Sequence, residues 1–295
     1  MSNAAITTAC PAARPISRAS AYWTLYTLTL RQHLHGRRWI VMAMLFMLPF
    51  LLAVVVRITA PRVPPEALEF LLVMMFVPQA VLPIVSLLYA SGIIQDEQEE
   101  QTITYLLLRP IPKWAIYTVK LLAAMTTTAV LVVVFTGLTY AAIYLNTQMP
   151  VSDAVVRWLK ASAIHSLAVV TYCSLFGLLS LVTKRVLVFG ILYTAVVEGL
   201  LANFPFSIRL VTVIYYTRWI AYQTMSFRVP RPGRGTEDFA EHAWQLNPIG
   251  IPGLLSHPQL GTCIAILLCA TLVFTALAAW LCSQREFHVK TPEKD

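Results

Sequence analysis

QDEQEEQTITYLLLRPIPKWAIYTVK, residues Gln95–Lys120, is the stretch on which the reading of this chain turns. Its charges are sorted: Asp96, Glu97, Glu99 and Glu100 come first, Arg109 and Lys113 later. Acids early and bases late suit the two poles of a helix, so the pattern predicts a short helix over Asp96–Arg109. Ile103, Leu106 and Leu107 fall on one face at helical spacing. Pro110 and Pro112 then stop the helix and turn the chain. Long apolar runs flank the segment on both sides. Carboxylates have no place in hydrocarbon, so the segment belongs in water beside a bilayer. It is either a stiff peg or a solvated loop that caps the preceding helix.

Composition supports a membrane setting. Of 295 residues, 58% are hydrophobic and only 12% charged, against roughly a quarter charged in ordinary soluble chains. A spanning helix needs about 20 mostly apolar residues to cross a core of roughly 30 Å. Six runs qualify: Trp39–Val56, Phe70–Ile94, Leu121–Leu145, Ala161–Thr183, Val186–Phe204 and Gly261–Cys282. Lys184 and Arg185 separate the fourth from the fifth and mark a tight hairpin. The expected fold is all-α: a polytopic membrane protein of six transmembrane helices forming one domain over residues 1–295. The first forty residues lack the order of a signal peptide, so insertion is expected to be driven by the spans themselves.

Lys and Arg placement sets the expected orientation. With the N-terminus in the cytosol, the inside holds Arg14, Arg18, Arg31, Arg37, Arg38, Arg109, Lys113, Lys120, Lys184, Arg185, Arg285, Lys290 and Lys294. The short outer loops hold Arg57, Arg62, Arg157 and Lys160. Both termini are therefore expected inside, in a cell (plasma or inner) membrane. The net charge of +8 is largely this bias, and a nucleic-acid partner is not expected.

Three further pieces lie outside the spans. Ser20–Arg38 places Trp23, Tyr26, Leu30 and Leu34 on one face and predicts an N-terminal helix in the membrane interface. The external connection, residues 205–260, is unusually long. Within it Phe206–Met225 is apolar but carries Arg209 and Arg218. A seventh span there would bury Arg218 and move the basic tail outside, so a re-entrant or surface-lying helix is expected instead. Tyr215, Tyr216, Trp219 and Tyr222 suit an outer aromatic belt. RVPRPGRG (Arg228–Gly235) reads as an exposed loop, and NPIGIPG (Asn247–Gly253) as turns.

Polar residues within the runs are the remaining candidates. Glu198 lies inside the fifth, where an ionisable side chain costs about 2.5–3.5 kcal/mol on insertion scales. It is a candidate for a substrate path or subunit interface, or else a carboxyl hydrogen-bonded to a neighbouring helix. His165 is a second pathway or interface candidate, read as lying near the outer end of its span. Lys120, opening the third run, is explained by snorkelling. Pro78 and Pro83 predict a kinked second span. The cysteines show no metal-binding spacing. A membrane-embedded enzyme would need HExxH, paired acids with Arg or His at helical spacing, or a Gly-framed serine, and the sequence has none of these. A non-transporting assembly or anchoring subunit stays open.

EQEEQT (Glu97–Thr102), followed by LLLRPIPK (Leu106–Lys113) and Lys120, resembles the first cytosolic loop of membrane subunits of type-2 ATP-binding-cassette transporters. In that family an E-x-E-x-G-T-like stretch precedes a leucine-rich turn, a proline beside a basic residue, and a lysine opening the third span. The six-span layout, interfacial helix and long outer connection are similar too. Gln98 replaces a commonly basic residue and Gln101 a usual glycine. The resemblance implies a permease subunit, an exporter by family, whose loop 95–113 docks as a coupling helix on a separate soluble ATPase. Glu97, Glu99, Glu100 and Thr102 would form the polar docking edge, Leu106 and Leu107 the apolar anchors. Arg109 would stand beside Pro110, which fixes the exit angle. Two permease subunits would assemble, as homodimer or heterodimer. ATP and Mg would bind the partner, since this chain has no G-x-x-x-x-G-K-[ST] loop and no cofactor of its own is expected.

Overall fold

A computed structural model of the chain describes residues 18–35, 37–99, 111–145, 147–203, 207–231, 235–238, 240, 243–244 and 258–284. Among them six helices are long and apolar enough to cross a bilayer: Trp39–Thr59, Pro65–Ile93, Lys113–Tyr144, Val151–Val182, Val186–Asn203 and Leu260–Gln284. They are called spans 1 to 6. The all-α, six-span expectation holds, with one small addition. Arg228–Arg231 pairs antiparallel with Gly235–Asp238, so part of the basic stretch expected as a loop is a two-stranded ribbon.

Spans 3 and 4 begin earlier than their apolar runs, at Lys113 and Val151. Pro112 and Pro150 precede them at extended backbone angles and release the chain into helix. Span 2 is compound. A short helix Pro65–Leu68 leads into a π-helical stretch Glu69–Val81, and an α-helix Leu82–Glu99 follows. Pro78 lies within the π-helical stretch, whose wider turns suit a residue lacking an N–H.

Span 4 is the hub, packing on spans 2, 3 and 6. Its face of Ala161, His165, Ala168, Tyr172 and Phe176 is buried at helical spacing. Span 3 approaches it closely at Gly177, where a Cβ would stand 2.6 Å from the Tyr117 hydroxyl. Span 5 touches span 2 through Gly190, whose missing Cβ leaves room for Leu87. Lipid offers helices no hydrophobic reason to associate, so small residues and polar contacts carry more of the packing. Thr171 and Thr271 join spans 4 and 6 at 3.1 Å, and the Cys282 thiol reaches the Lys113 carbonyl at 3.6 Å.

That last contact gathers the end of span 6 and the start of span 3 at one end of the bundle, here the near end. The opposite, far end joins the start of span 2, the end of span 3 and the start of span 4.

The N-terminal helix, Arg18–His35, packs on span 3. It does so through Leu25, Thr29 and Tyr26, whose hydroxyl donates to Thr126 Oγ1 at 3.0 Å. Trp23 and Leu34, expected on the same face as Tyr26, are exposed.

After span 5 the chain makes a 3-10 turn, Ser207–Val211, and a helix Val213–Thr224. Twelve residues rise about 18 Å, too little to span a bilayer. The helix packs on spans 4 and 6 and on the π-helical stretch of span 2. Every residue from Val213 to Ala221 is buried, which favours a re-entrant element over a surface-lying one. Tyr215, Tyr216 and Trp219 are buried with it and form no belt. Trp219 instead donates its indole N–H to the Pro258 carbonyl at 2.7 Å, tying the helix to the entry of span 6.

Candidate functional site

At the near end, the helix that opens at Leu82 runs without interruption to Glu99. Asp96, Glu97 and Glu99 therefore sit at its C-terminal end, not in the first turn of a new helix. The charge-sorting expectation fails for these three because the second span does not stop where its apolar residues do. Glu100, Thr102, Leu106, Leu107, Arg109 and Pro110 lie outside the described residues. So does the whole expected peg beyond Glu99. Lys120 stands beside the emerging helix: it is 5% exposed and its Nζ donates to the Ile93 carbonyl at 3.3 Å. It does not snorkel, because span 3 starts at Lys113 and leaves Lys120 two turns inside.

Deeper in the bundle, Glu198 occupies a π-helical stretch of span 5, Thr194–Leu200, and is fully buried. Its carboxylate accepts from the backbone N–H groups of Val213 and Ile214, each at 3.0 Å, and from the Tyr193 hydroxyl at 3.1 Å. Thr212 Oγ1 accepts from the Tyr215 N–H at 3.3 Å. Three of the four N–H groups orphaned at the start of the re-entrant helix are thus satisfied, two of them by a residue on another element. A carboxylate there also meets the positive pole of the helix.

One turn along, Arg218 is 7% exposed. Its two terminal nitrogens donate to neutral amides, Nη1 to Asn203 Oδ1 at 3.0 Å and Nη2 to Gln79 Oε1 at 3.4 Å. A guanidinium keeps its charge even when buried, and Tyr172 and Glu198 lie near enough to act on it electrostatically. His165 is fully buried in mid-helix, not near an outer end. It faces the Val73 backbone of span 2, but neither ring nitrogen reaches hydrogen-bond geometry with a described residue.

The far end holds a cluster that sequence reading missed. Glu69 is fully buried and forms an ion pair with Arg157 at 2.8 Å. The Tyr140 hydroxyl donates to Glu69 Oε1 at 2.7 Å, and the Tyr144 hydroxyl donates to Oε2. Arg157 also donates to the Ser226 carbonyl at 3.2 Å. Spans 2, 3 and 4 and the exit of the re-entrant helix are joined at this one point. Glu69 fell one residue outside the second apolar run, and Arg157 counted as a loop charge. Two tyrosines four residues apart near the end of the third run were the signal available.

Among the described residues no three His, Cys, Asp or Glu side chains come together to hold a metal. The arrangement is one of helices braced at both ends, with buried charges at the joints. A search among curated proteins returns no match. The profile of the ABC-2 family transporter proteins matches residues 34–216, which takes in spans 1 to 5 and the start of the re-entrant helix. The chain belongs to the ABC-2 family of transporter proteins, as a multi-pass permease subunit.

Proposed function

We propose that this permease subunit is the transmembrane half of an exporter in the cell membrane, driven through residues 95–113 by a separate soluble ABC ATPase. Both termini and the near end lie in the cytosol on this reading. A second permease subunit, identical or related, completes the complex, and ATP with Mg is bound and hydrolysed on the ATPase. The observation that carries the proposal is the unbroken helix Leu82–Glu99. The helix packs against span 4, the hub of the bundle, and its end delivers Glu97 and Glu99 to the segment that follows. Force applied beyond Glu99 by nucleotide-driven closing of an ATPase pair would travel along a stiff rod into the core. A flexible loop at that position would dissipate it.

Co-purification from the native membrane tests this. The wild-type chain is expected to bring down a soluble protein with ATPase activity, and the double change Glu97→Lys, Glu99→Lys to lose most of it. The loss must appear while the variant still inserts in wild-type amount. Unchanged ATPase recovery with the charge-reversed chain would overturn the coupling assignment. Direction is tested separately, by ATP-dependent accumulation in inverted vesicles.

A further inference from the structure

The buried charges of this bundle are not all answered in the same way. Glu69 has Arg157 and two tyrosine hydroxyls. Glu198 has two backbone N–H groups and Tyr193, which commit both its oxygens. Arg218 is different. Among the described residues its guanidinium hydrogen-bonds only the amide oxygens of Asn203 and Gln79; the carboxylate that acts on it electrostatically, Glu198, lies beyond ion-pair distance with both oxygens committed elsewhere. A cation inside a membrane protein is costly unless something compensates it, and such residues mark the paths of ions and substrates. Two neutral dipoles compensate a guanidinium poorly. Arg209, buried on the same connection with its guanidinium 5.2 Å over the Tyr215 ring, adds a second positive charge to this region.

The geometry also suits an exchange of partners. The two amides occupy the two prongs of the planar fork that elsewhere grips an oxyanion in bidentate fashion. Asn203 closes span 5 and is exposed, and Gln79 is half-buried in span 2. Arg218 therefore lies one side chain beneath the surface between those two spans. The Gln79 side chain can turn its NH2 toward an incoming anion where its oxygen now accepts.

We propose that Arg218, with Gln79 and Asn203, is a recognition site for the phosphate group of the transported molecule or of a lipid. This rests on the permease reading and adds a substrate class to it, phosphate-bearing compounds. The anion displaces the amide oxygens from the guanidinium and gives it the direct ionic partner that Glu198, committed to the re-entrant helix, does not.

The test uses the full chain in phosphatidylcholine nanodiscs, with Trp219, the residue next to Arg218, contributing to an intrinsic fluorescence readout. Inorganic pyrophosphate is titrated in one arm. In the other, phosphatidylglycerol replaces a rising fraction of the phosphatidylcholine. A saturable response is expected in at least one arm: the first identifies a soluble phosphate group as ligand, the second a headgroup. Gln79→Glu places a carboxylate beside the guanidinium, so it is expected to raise Tm and weaken the response at least tenfold. Arg218→Lys is expected to retain part of the response, and Arg62→Gln, an exposed loop cation, all of it. No saturable response from the wild-type chain in either arm, or an unaltered response from Gln79→Glu, would overturn the proposal. ATPase co-purification depends on Glu97 and Glu99 and not on Arg218, so failure here leaves the coupling reading intact.

Discussion

A carboxylate at Glu69 is tolerated inside the bundle because three donors converge on it, from span 3 and span 4. Removing one partner of such a pair strands the other. Arg157→Leu is expected to destabilise the chain by about 3–5 kcal/mol, whereas replacing both residues by apolar ones of similar volume is expected to be far milder. Chemical unfolding in detergent of the single and double variants measures the difference, and equal losses would show that the pair is not coupled. Glu198 caps a helix that belongs to another element. Glu198→Ala is expected to cost about 1–2 kcal/mol through the lost cap and to speed amide exchange over residues 213–217 specifically. Sequence alone exposed Glu198, because a lone acid in an apolar run is conspicuous. Its role was not legible there, because the N–H groups it serves lie beyond the end of its own span. Glu69 and Arg157 stayed hidden for a related reason: hydropathy marks where apolar residues stop, not where a helix does.

Helix ends were the least legible elements. Span 3 extends from Leu121 back to Lys113 and span 4 from Ala161 back to Val151, since backbone hydrogen bonding continues through polar residues that find partners. The re-entrant helix was half legible. Arg218 argued against a seventh span, but nothing local distinguished a buried helix from a surface one, and burial of Tyr215, Tyr216 and Trp219 follows from neighbours far away in sequence. Close helix contacts give a sharp test. Gly177→Ala sets a methyl group against the Tyr117 hydroxyl, and overpacking of this kind costs about 1–3 kcal/mol. Tyr117→Phe removes the offending oxygen, so the double variant is expected to recover most of the lost Tm. Additive losses would place the strain elsewhere.

At the scale of the molecule, six crossings among the described residues put the N-terminal helix and the end of span 6 on one side of the bilayer. Single cysteines introduced at Lys184 and at Pro61 in a cysteine-free background should therefore label from opposite sides, with Lys184 protected from an impermeant reagent added outside cells. Labelling of both from outside would break the six-span topology. The class was legible from composition and run count, which are summed over many residues and insensitive to any one boundary, and the family from the local resemblance carried by EQEEQT and LLLRPIPK.

Spans 3 and 4 are also longer than a flat bilayer asks for. They have 32 residues each, about 48 Å of rise. That overshoots a core of roughly 30 Å, so these two helices must tilt or carry their ends into the interfaces. Acyl-chain length thus becomes a control variable: turnover in reconstituted vesicles is expected to fall as the chains shorten and the overshoot grows.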